Sequence, residues 1–271
     1  MIAADFDYVR KFLQEEAAIV LEPGKEYLVQ ARLEGLAKSE RFGSVEEFIG
    51  KLRADPAHTL HRRVLDVMTT NETLFFRDLH PFEALKQRII PELIARRAAD
   101  RHITIWCGAS STGQEPFSVM MLIAEQFPQL LDWKITFLAT DLCTDVLVRA
   151  RKGRFSQLEI NRGLPAAMLV KYFVREGAEW EFSPELRRRI NFSELNLVKP
   201  WPELPPLDLV FLRNVLIYFD VDSKRAIFRK IRRLLRPGGH LLLGAAETTY
   251  NLDDGFERVA GEKASFFRLK D

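Results

Sequence analysis

The chain has 271 residues, room for one large domain or two unequal ones. Hydrophobic residues make up 47% and charged residues 29%, a globular balance, and no apolar run approaches the ~20 residues of a membrane span, so no direct membrane insertion is expected. A net charge of +2 gives no reason to expect nucleic-acid binding, and the acidic start MIAADFDYVRKF lacks the basic-then-apolar pattern of a secretion leader.

Cys107 and Cys143 each follow a predicted strand, which reads as buried reduced thiols in a cytoplasmic protein. No zinc spacing is present. His58 and His61 lie three apart on a predicted helix with no further ligand, so no metal site is expected.

Residues 5 to about 68 read as all-helical. Asp5 is the expected cap of a first helix that buries Phe6, Val9, Leu13 and Val20, with Pro23-Gly24 ending the segment. A second helix carries Tyr27, Leu28, Ala31 and Leu36 near helical spacing, and Gly43 breaks it. Ser44 and Glu47 form a capping-box pattern ahead of Phe48, Ile49 and Leu52. Asp55-Pro56 reads as a further cap with Pro at the first helical position, leading to Leu60, Val64, Leu65 and Met68 on one face. Arg53, Arg62 and Arg63 are either a basic face opposite that stripe or an ordinary solvated surface.

The next stretch, TTNETLFFRD from Thr69 to Asp78, is unusual for a linker, which would be rich in Pro, Gly or Ser. Its amides, hydroxyls, two aromatics and one Arg read either as a well-packed connection or as a lid over a ligand, with Arg77 aimed at an anion. His80-Pro81 then opens a helix through Phe82, Leu85 and Ile89, interrupted or restarted at Pro91.

From Ile103 strands and helices alternate, the pattern of a parallel α/β sheet. The segment Ile103–Ile123 is a buried strand, a small-residue turn (Gly108 to Gly113) and a helix opening at Glu115-Pro116, which brings a ligand close to bare backbone at a strand's carboxyl end. Gly113-Gln114 is not a P-loop, and Gly108-Ala109-Ser110 is not the dinucleotide glycine pattern. The Glu115 carboxylate at the helix mouth would repel phosphate and welcome an ammonium, so a nucleoside carrying an amino acid fits better than a phosphorylated one. The second strand, Ile135 to Ala139, ends in Thr140-Asp141. Asp141 is placed either to accept ribose hydroxyls or to cap the helix Thr144 to Lys152.

Residues 165 to 197 break the alternation, reading as two or three short antiparallel strands inserted into the sheet order, with Ile190 to Leu195 rejoining the main sheet ahead of Asn196-Leu197. A proline-rich loop (Pro200 to Pro206) leads to the strand Leu207 to Leu212 and then Arg213-Asn214-Val215-Leu216-Ile217-Tyr218-Phe219. Asp222-Ser223 is the expected cap of a basic amphipathic helix, Arg236-Pro237-Gly238-Gly239 a turn into the strand His240 to Leu243, and FERVA-GEKA-SFFRLK a closing hairpin.

This order of elements resembles the S-adenosylmethionine methyltransferase fold. TTNETLFFRD, GASSTGQEPFS, ATDLCTDVLVRARKG, LRNVLIYFD and LLRPGGHLLLG, in sequence behind a helical N-terminal part, resemble the bacterial chemotaxis-receptor glutamate O-methyltransferases across nearly the whole chain. The resemblance implies an N-terminal helical domain (1–70), a linker and helix over the active site (71–90), and a Rossmann-like α/β methyltransferase domain (91–271) with an antiparallel β subdomain inserted at about 165–195. It implies S-adenosyl-L-methionine as cofactor, with S-adenosyl-L-homocysteine as product, and methylation of glutamates on the chemoreceptor cytoplasmic helical bundle.

By the same similarity Asn71, Thr73 and Arg77 line the cofactor and active site, Glu115 holds the methionine amino group and Asp141 the ribose. Asn196, Leu197, Asn214 and Val215 frame the adenosine and sulfonium region, with Tyr218 near the transferring methyl. Gly108 and Gln114 vary the family's glycine turn without touching these positions. The β subdomain is similar to one that docks a receptor tail peptide in some members, and the basic N-terminal helix to a proposed receptor contact. A glutamate carboxylate is already ionised at neutral pH (reference pKa about 4.3), so neither a general base nor a metal is called for. The competing readings are a non-catalytic cofactor-binding adaptor and a methyltransferase acting on a small molecule or nucleic acid. Retained Arg77, Tyr218 and Glu115 argue against the first, and the helical domain, β insertion and modest charge against the second.

Overall fold

The computed structural model describes residues 2–55, 59–260 and 265–270. Helices α1 (Ala3–Ala17), α2 (Glu26–Ser39), α3 (Val45–Ala54) and α4 (Leu60–Met68) enclose a core of their own built on Phe6, Val9, Leu13, Val29, Leu33, Phe48, Ile49 and Val64. The predicted Pro56 start and His58 lie outside the described residues. Asp5 does not cap α1. It sits in the first turn, buried, with Arg53 2.9 Å away. Val20 is 45% exposed and Tyr27 66%, because α1 ends at Ala17 with Ala18 left-handed, and α2 turns the stripe Val29, Leu33, Leu36 and Ala37 inward instead. Ser44 caps α3 by accepting from the Glu47 N–H (3.1 Å), while Glu47 reaches back to the Gly43 N–H (2.8 Å) rather than to Ser44.

Arg53, Arg62 and Arg63 do not make a free basic face. Arg53 pairs with Asp5, Arg62 with Asp66 and Glu194, and Arg63 with Glu40. His61 lies 2.9 Å from the Tyr8 hydroxyl.

Pro91 neither ends nor cleanly continues its helix. Between α5 (His80–Ala84) and α6 (Ile90–Arg97) the chain makes a π-helical turn, Leu85–Ile89. Pro91 lacks an N–H and its ring crowds the carbonyl four residues back, and a widened turn relieves both.

The sheets use strands β1 (His102–Gly108), β2 (Lys134–Asp141), β3 (Arg154–Ser156), β4 (Phe173–Glu176), β5 (Glu179–Phe182), β6 (Ile190–Glu194), β7 (Leu207–Leu212), β8 (Leu235–Leu243), β9 (Phe256–Arg258) and β10 (Ser265–Leu269). The main sheet runs β6-β2-β1-β7-β8-β10-β9, parallel from β6 to β8 and antiparallel through the closing hairpin, whose tip lies outside the described residues. Strand order reverses at β1, which pairs with β2 on one side and β7 on the other, and a crevice opens there at the carboxyl ends. Helices α7 (Gln114–Gln126) and α8 (Thr144–Lys152) follow the first two strands.

The antiparallel excursion is a three-stranded sheet, β3-β5-β4, and Ile190–Glu194 returns to the main sheet as expected. Its third strand, Arg154–Ser156, comes from ahead of the expected insertion, and three residues carry too little alternation to signal a strand. After the short helices α9 (Gln157–Ile160), α10 (Ala166–Tyr172) and α11 (Pro184–Arg187) comes α12 (Val221–Leu234). Asp220 caps α12 by accepting from the Ser223 N–H (2.7 Å), two residues before the expected Asp222. The Arg236–Gly239 turn is absorbed into β8 as an irregularity opposite Leu207 and Leu209. Cys107 and Cys143 are buried free thiols, and burial raises the pKa of both. No helix among the described residues is long and apolar enough to cross a membrane.

Candidate active site

At the carboxyl ends of the central strands lies a cavity of about 640 Å³. Asn71, Thr73, Arg77, Glu115, Asp141, Asn196, Leu197, Asn214, Val215 and Tyr218 all line it. Five segments far apart in the chain thus converge on one space, and residues of the helical domain, among them Ile19, Leu21, Leu28 and Arg32, line it as well.

The first wall grows out of the sheet. The turn after β1 places Ala109 (φ 53°), Ser111 (φ 50°) and Gly113 (φ 96°) in the left-handed region, so backbone faces the cavity. Ser110 N–H bonds the Thr140 carbonyl (2.9 Å) and Gly113 N–H the Ser110 carbonyl (3.1 Å). Asp141 is buried and accepts from the Ser111 N–H (2.8 Å, Oδ2) and the Cys143 N–H (2.9 Å, Oδ1). Burial raises its pKa, and these backbone bonds oppose the shift. Each oxygen keeps a lone pair for a ligand hydroxyl.

Asp141 is not the cap of α8. Asp66, from α4, accepts from the Thr144 N–H (3.1 Å) and hydroxyl (3.2 Å), so the helical domain supplies that cap. Pro116 is the third residue of α7 rather than the first, still within the turn whose N–H groups lack helical partners.

Glu115 is not free. Arg213, its side chain 1% exposed, reaches Glu115 Oε2 with Nη1, and with Nη2 it reaches Asp78 Oδ2 (2.9 Å) and the Arg77 carbonyl (2.9 Å). Glu115 retains Oε1 to meet a ligand cation. Neither Arg213 nor Asp78 was singled out from the sequence. The signal available was a lone Arg directly after a strand apolar but for Asp208, where an unpaired charge would be costly.

The second wall is the strap 69–79. Phe76 (φ 48°), Asp78 (φ 67°) and Leu79 (φ 38°) are left-handed, a conformation costing on the order of 1–3 kcal/mol each for such residues. The surroundings hold it. Phe76 N–H donates to Ser118 Oγ (3.0 Å), Arg213 grips the Arg77 carbonyl, and Phe75 is fully buried. Arg77 is half-buried. It donates to the Glu72 carbonyl (3.2 Å) and has no carboxylate partner among the described residues.

Beyond β7, buried Glu247 accepts from the N–H groups of Gly244 (2.7 Å), Asn214 (2.8 Å), Val215 (2.9 Å) and Leu216 (2.7 Å). One carboxylate thus shapes the turn that ends at half-buried Tyr218, and the Val20 N–H donates to the Tyr218 carbonyl (3.1 Å). Glu247 lies far along the chain and carried no sequence motif. The Asn196 amide is committed to the protein: it donates to the Glu16 carbonyl (2.7 Å) and accepts from the Val198 N–H (3.0 Å).

Residues 4–69 match the family model described as "CheR methyltransferase, all-alpha domain", and residues 71–265 match "CheR methyltransferase, SAM binding domain". The chain belongs to the CheR methyltransferase family. It is 40% identical over 272 residues to "Chemotaxis protein methyltransferase 1" of Pseudomonas aeruginosa, covering 98% of each chain. It is 38% identical over 270 residues to "Chemotaxis protein methyltransferase Cher2" of Pseudomonas putida, again 98% of each. The Vibrio cholerae "Chemotaxis protein methyltransferase 1" is 36% identical over 264 residues, 96% of this chain and 94% of that one.

The CheR fold expected from the sequence is therefore present, and S-adenosylmethionine is the cofactor of its second domain. The residues present suit that group. The cavity is within the range of about 300–1,000 Å³ usual for cofactor sites, and it is lined by two carboxylates, Asp141 and Glu115, acceptors of the kind that hydroxyls and an ammonium need. Ser110 lines it too, and its buried hydroxyl has no hydrogen-bond partner among the described residues, which suits a polar ligand.

Proposed function

We propose that this methyltransferase moves the methyl group of S-adenosylmethionine onto glutamate side-chain carboxylates of chemoreceptor cytoplasmic helices, forming methyl esters in chemotactic adaptation. The observation that carries the reading is Arg77. It lines the same cavity as Glu115 and Asp141, and unlike Arg213 beside it, it has no carboxylate partner among the described residues. A cation left unpaired at the mouth of a cofactor cavity suits an anionic acceptor.

When bound, the cofactor supplies an electrophilic methyl on a sulfonium. Glu115 Oε1 takes the ammonium of its amino acid end, and Asp141 accepts from the ribose hydroxyls. Asn196, Leu197, Asn214 and Val215 frame the adenosine and sulfonium region, with Asn71 and Thr73 on the strap opposite. The acceptor glutamate, with a reference pKa of about 4.3, arrives ionised and requires no base. Arg77 and Tyr218, which line the same cavity, would orient its oxygen toward the methyl. Tight pairing with Arg77 would drain nucleophilicity, so Arg77 orients the carboxylate more than it binds it.

The protein works in the cytoplasm, where the receptor helices lie. Its small sheet offers β4 as an open edge, with Val174 63% exposed, for strand addition by a receptor tail peptide. A non-catalytic adaptor would have no use for Arg77 and Tyr218 facing the same cavity as Glu115.

Incubation with tritiated S-adenosylmethionine and membranes with or without receptors tests the reading. Receptor-dependent label that mild base releases is expected, and label that survives base would exclude a carboxyl ester.

A further inference from the structure

The small sheet touches the strap as well as the solvent. Phe75, on the strap, is wedged between Phe155 of β3 (ring centroids 5.0 Å apart, 73°) and Phe173 of β4 (5.6 Å, 89°). In the turn after α9, Gly163 adopts φ +92° and lies against the Phe75 carbonyl, so close that a Cβ there would fall 2.1 Å from the oxygen. That contact excludes every residue with a side chain, by geometry as well as by φ. Arg162 beside it pairs with Glu72 (2.5 Å), but both are exposed and the pair adds little. None of Phe75, Phe155, Phe173 or Gly163 lines the cavity.

The two halves of the strap are held by different parts of the molecule. Its first half is fixed from the helical domain and the sheet: Arg32 donates to the carbonyls of Met68 (2.5 Å) and Thr69 (3.3 Å) and to the Thr70 hydroxyl (3.0 Å), and Ser111 Oγ donates to the Asn71 carbonyl (2.7 Å). Its second half, from Phe75 on, rests on the aromatic socket and Gly163, with Ser118 and Arg213 behind.

We propose that the small sheet and the Gly163 turn position the acceptor side of the active site: Gly163, Phe155 and Phe173 fix the Phe75 backbone and, through the strained residues that follow, the direction of Arg77. They are positioning residues, since none reaches a ligand. This rests on the reading of Arg77 as the group that orients the acceptor carboxylate. None of the hydrogen bonds that hold the cofactor half comes from them. Phe155 also meets Phe117 of α7 (5.9 Å), which packs on Gly113, whereas Phe173 and Gly163 bear on Phe75 itself, so disturbing Gly163 or Phe173 separates methyl transfer from cofactor binding.

The test uses Gly163→Ala and Phe173→Leu in the full chain. Three quantities are read: S-adenosylhomocysteine affinity by calorimetry, kcat with a purified receptor cytoplasmic fragment, and amide hydrogen exchange of residues 76–79 against residues 109–113. Expected are an affinity within about threefold of the parent, kcat lowered at least about tenfold, and exchange accelerated at 76–79 but not at 109–113. Unchanged exchange at 76–79 in a folded variant would overturn the proposal. So would affinity and kcat falling together in step with the loss of folded protein, the mark of a merely structural role. If Gly163→Ala does not fold, Phe173→Leu decides by the same criteria. A parent enzyme inactive on the receptor fragment would remove the proposed acceptor, and the exchange pattern would still decide whether the socket holds the strap.

Discussion

The two walls of the cavity are built on opposite principles. The wall after β1 and β2 is an extension of the sheet, in which Ser110 and Ser111 are bonded to the end of β2 and Asp141 is locked by two backbone N–H groups. The strap has no ladder to continue. Its three left-handed residues in the stretch 76–79, unlike those of the turn after β1, are kept in place by side chains: Ser118, Arg213 and the aromatic socket. A wall of the first kind is preorganised by secondary structure and suits the invariant ligand. A wall of the second kind depends on side chains from several elements, and it carries Arg77, the group proposed to meet the acceptor.

The strongest blow to this contrast is Arg213→Met, because Arg213 joins the walls. It leaves Glu115 and Asp78 without their shared cation, and a loss of about 3 kcal/mol in urea unfolding is expected, with failure of both cofactor binding and transfer. Glu247→Ala comes next. Four N–H groups lose their acceptor, for an expected loss of about 2 kcal/mol and a fall in kcat as the Asn214–Tyr218 turn loosens.

Asp141→Asn touches only the sheet wall. It should weaken S-adenosylhomocysteine binding about tenfold, or about 1.4 kcal/mol, in calorimetry. Acidity sharpens the same point. The ionised Asp141 is the better acceptor for hydroxyls, so affinity should fall as pH drops through its raised pKa, above the 3.8 of an ordinary aspartate, and Asp141→Asn should abolish that step. The folding linkage has the opposite sign. A carboxyl whose folded pKa is raised contributes stability at low pH that is lost as pH climbs through the folded value. The smallest effect is expected from Arg162→Ala, an exposed pair worth less than about 0.5 kcal/mol, with unaltered transfer.

The same contrast explains what could be read from the residues alone. Strand, small-residue turn, helix and a following acid are local patterns, so Glu115 and Asp141 were found at the site's first wall. The strap was marked by its odd composition, which pointed to Arg77 but not to what fixes it. Arg213, Glu247, Asp66 and Gly163 act through contacts that join distant segments, and a chain read linearly holds no record of them. The smaller misreadings have similar causes. Asp5 and Asp222 look like caps, yet the true boundaries shift when Asp5 finds Arg53 and Asp220 finds the Ser223 N–H. Asn196 lines the cavity as expected, and its amide also ties the end of α1 to the sheet, a long-range contact that no local pattern announces.

The most direct measurement is the turnover of Arg77→Ala on a receptor cytoplasmic fragment with S-adenosylmethionine at saturation, where any loss of cofactor affinity is removed from the comparison. If Arg77 orients the acceptor, kcat drops by at least about a hundredfold, or roughly 2.7 kcal/mol of transition-state stabilisation. Near-parental turnover under those conditions would contradict the account.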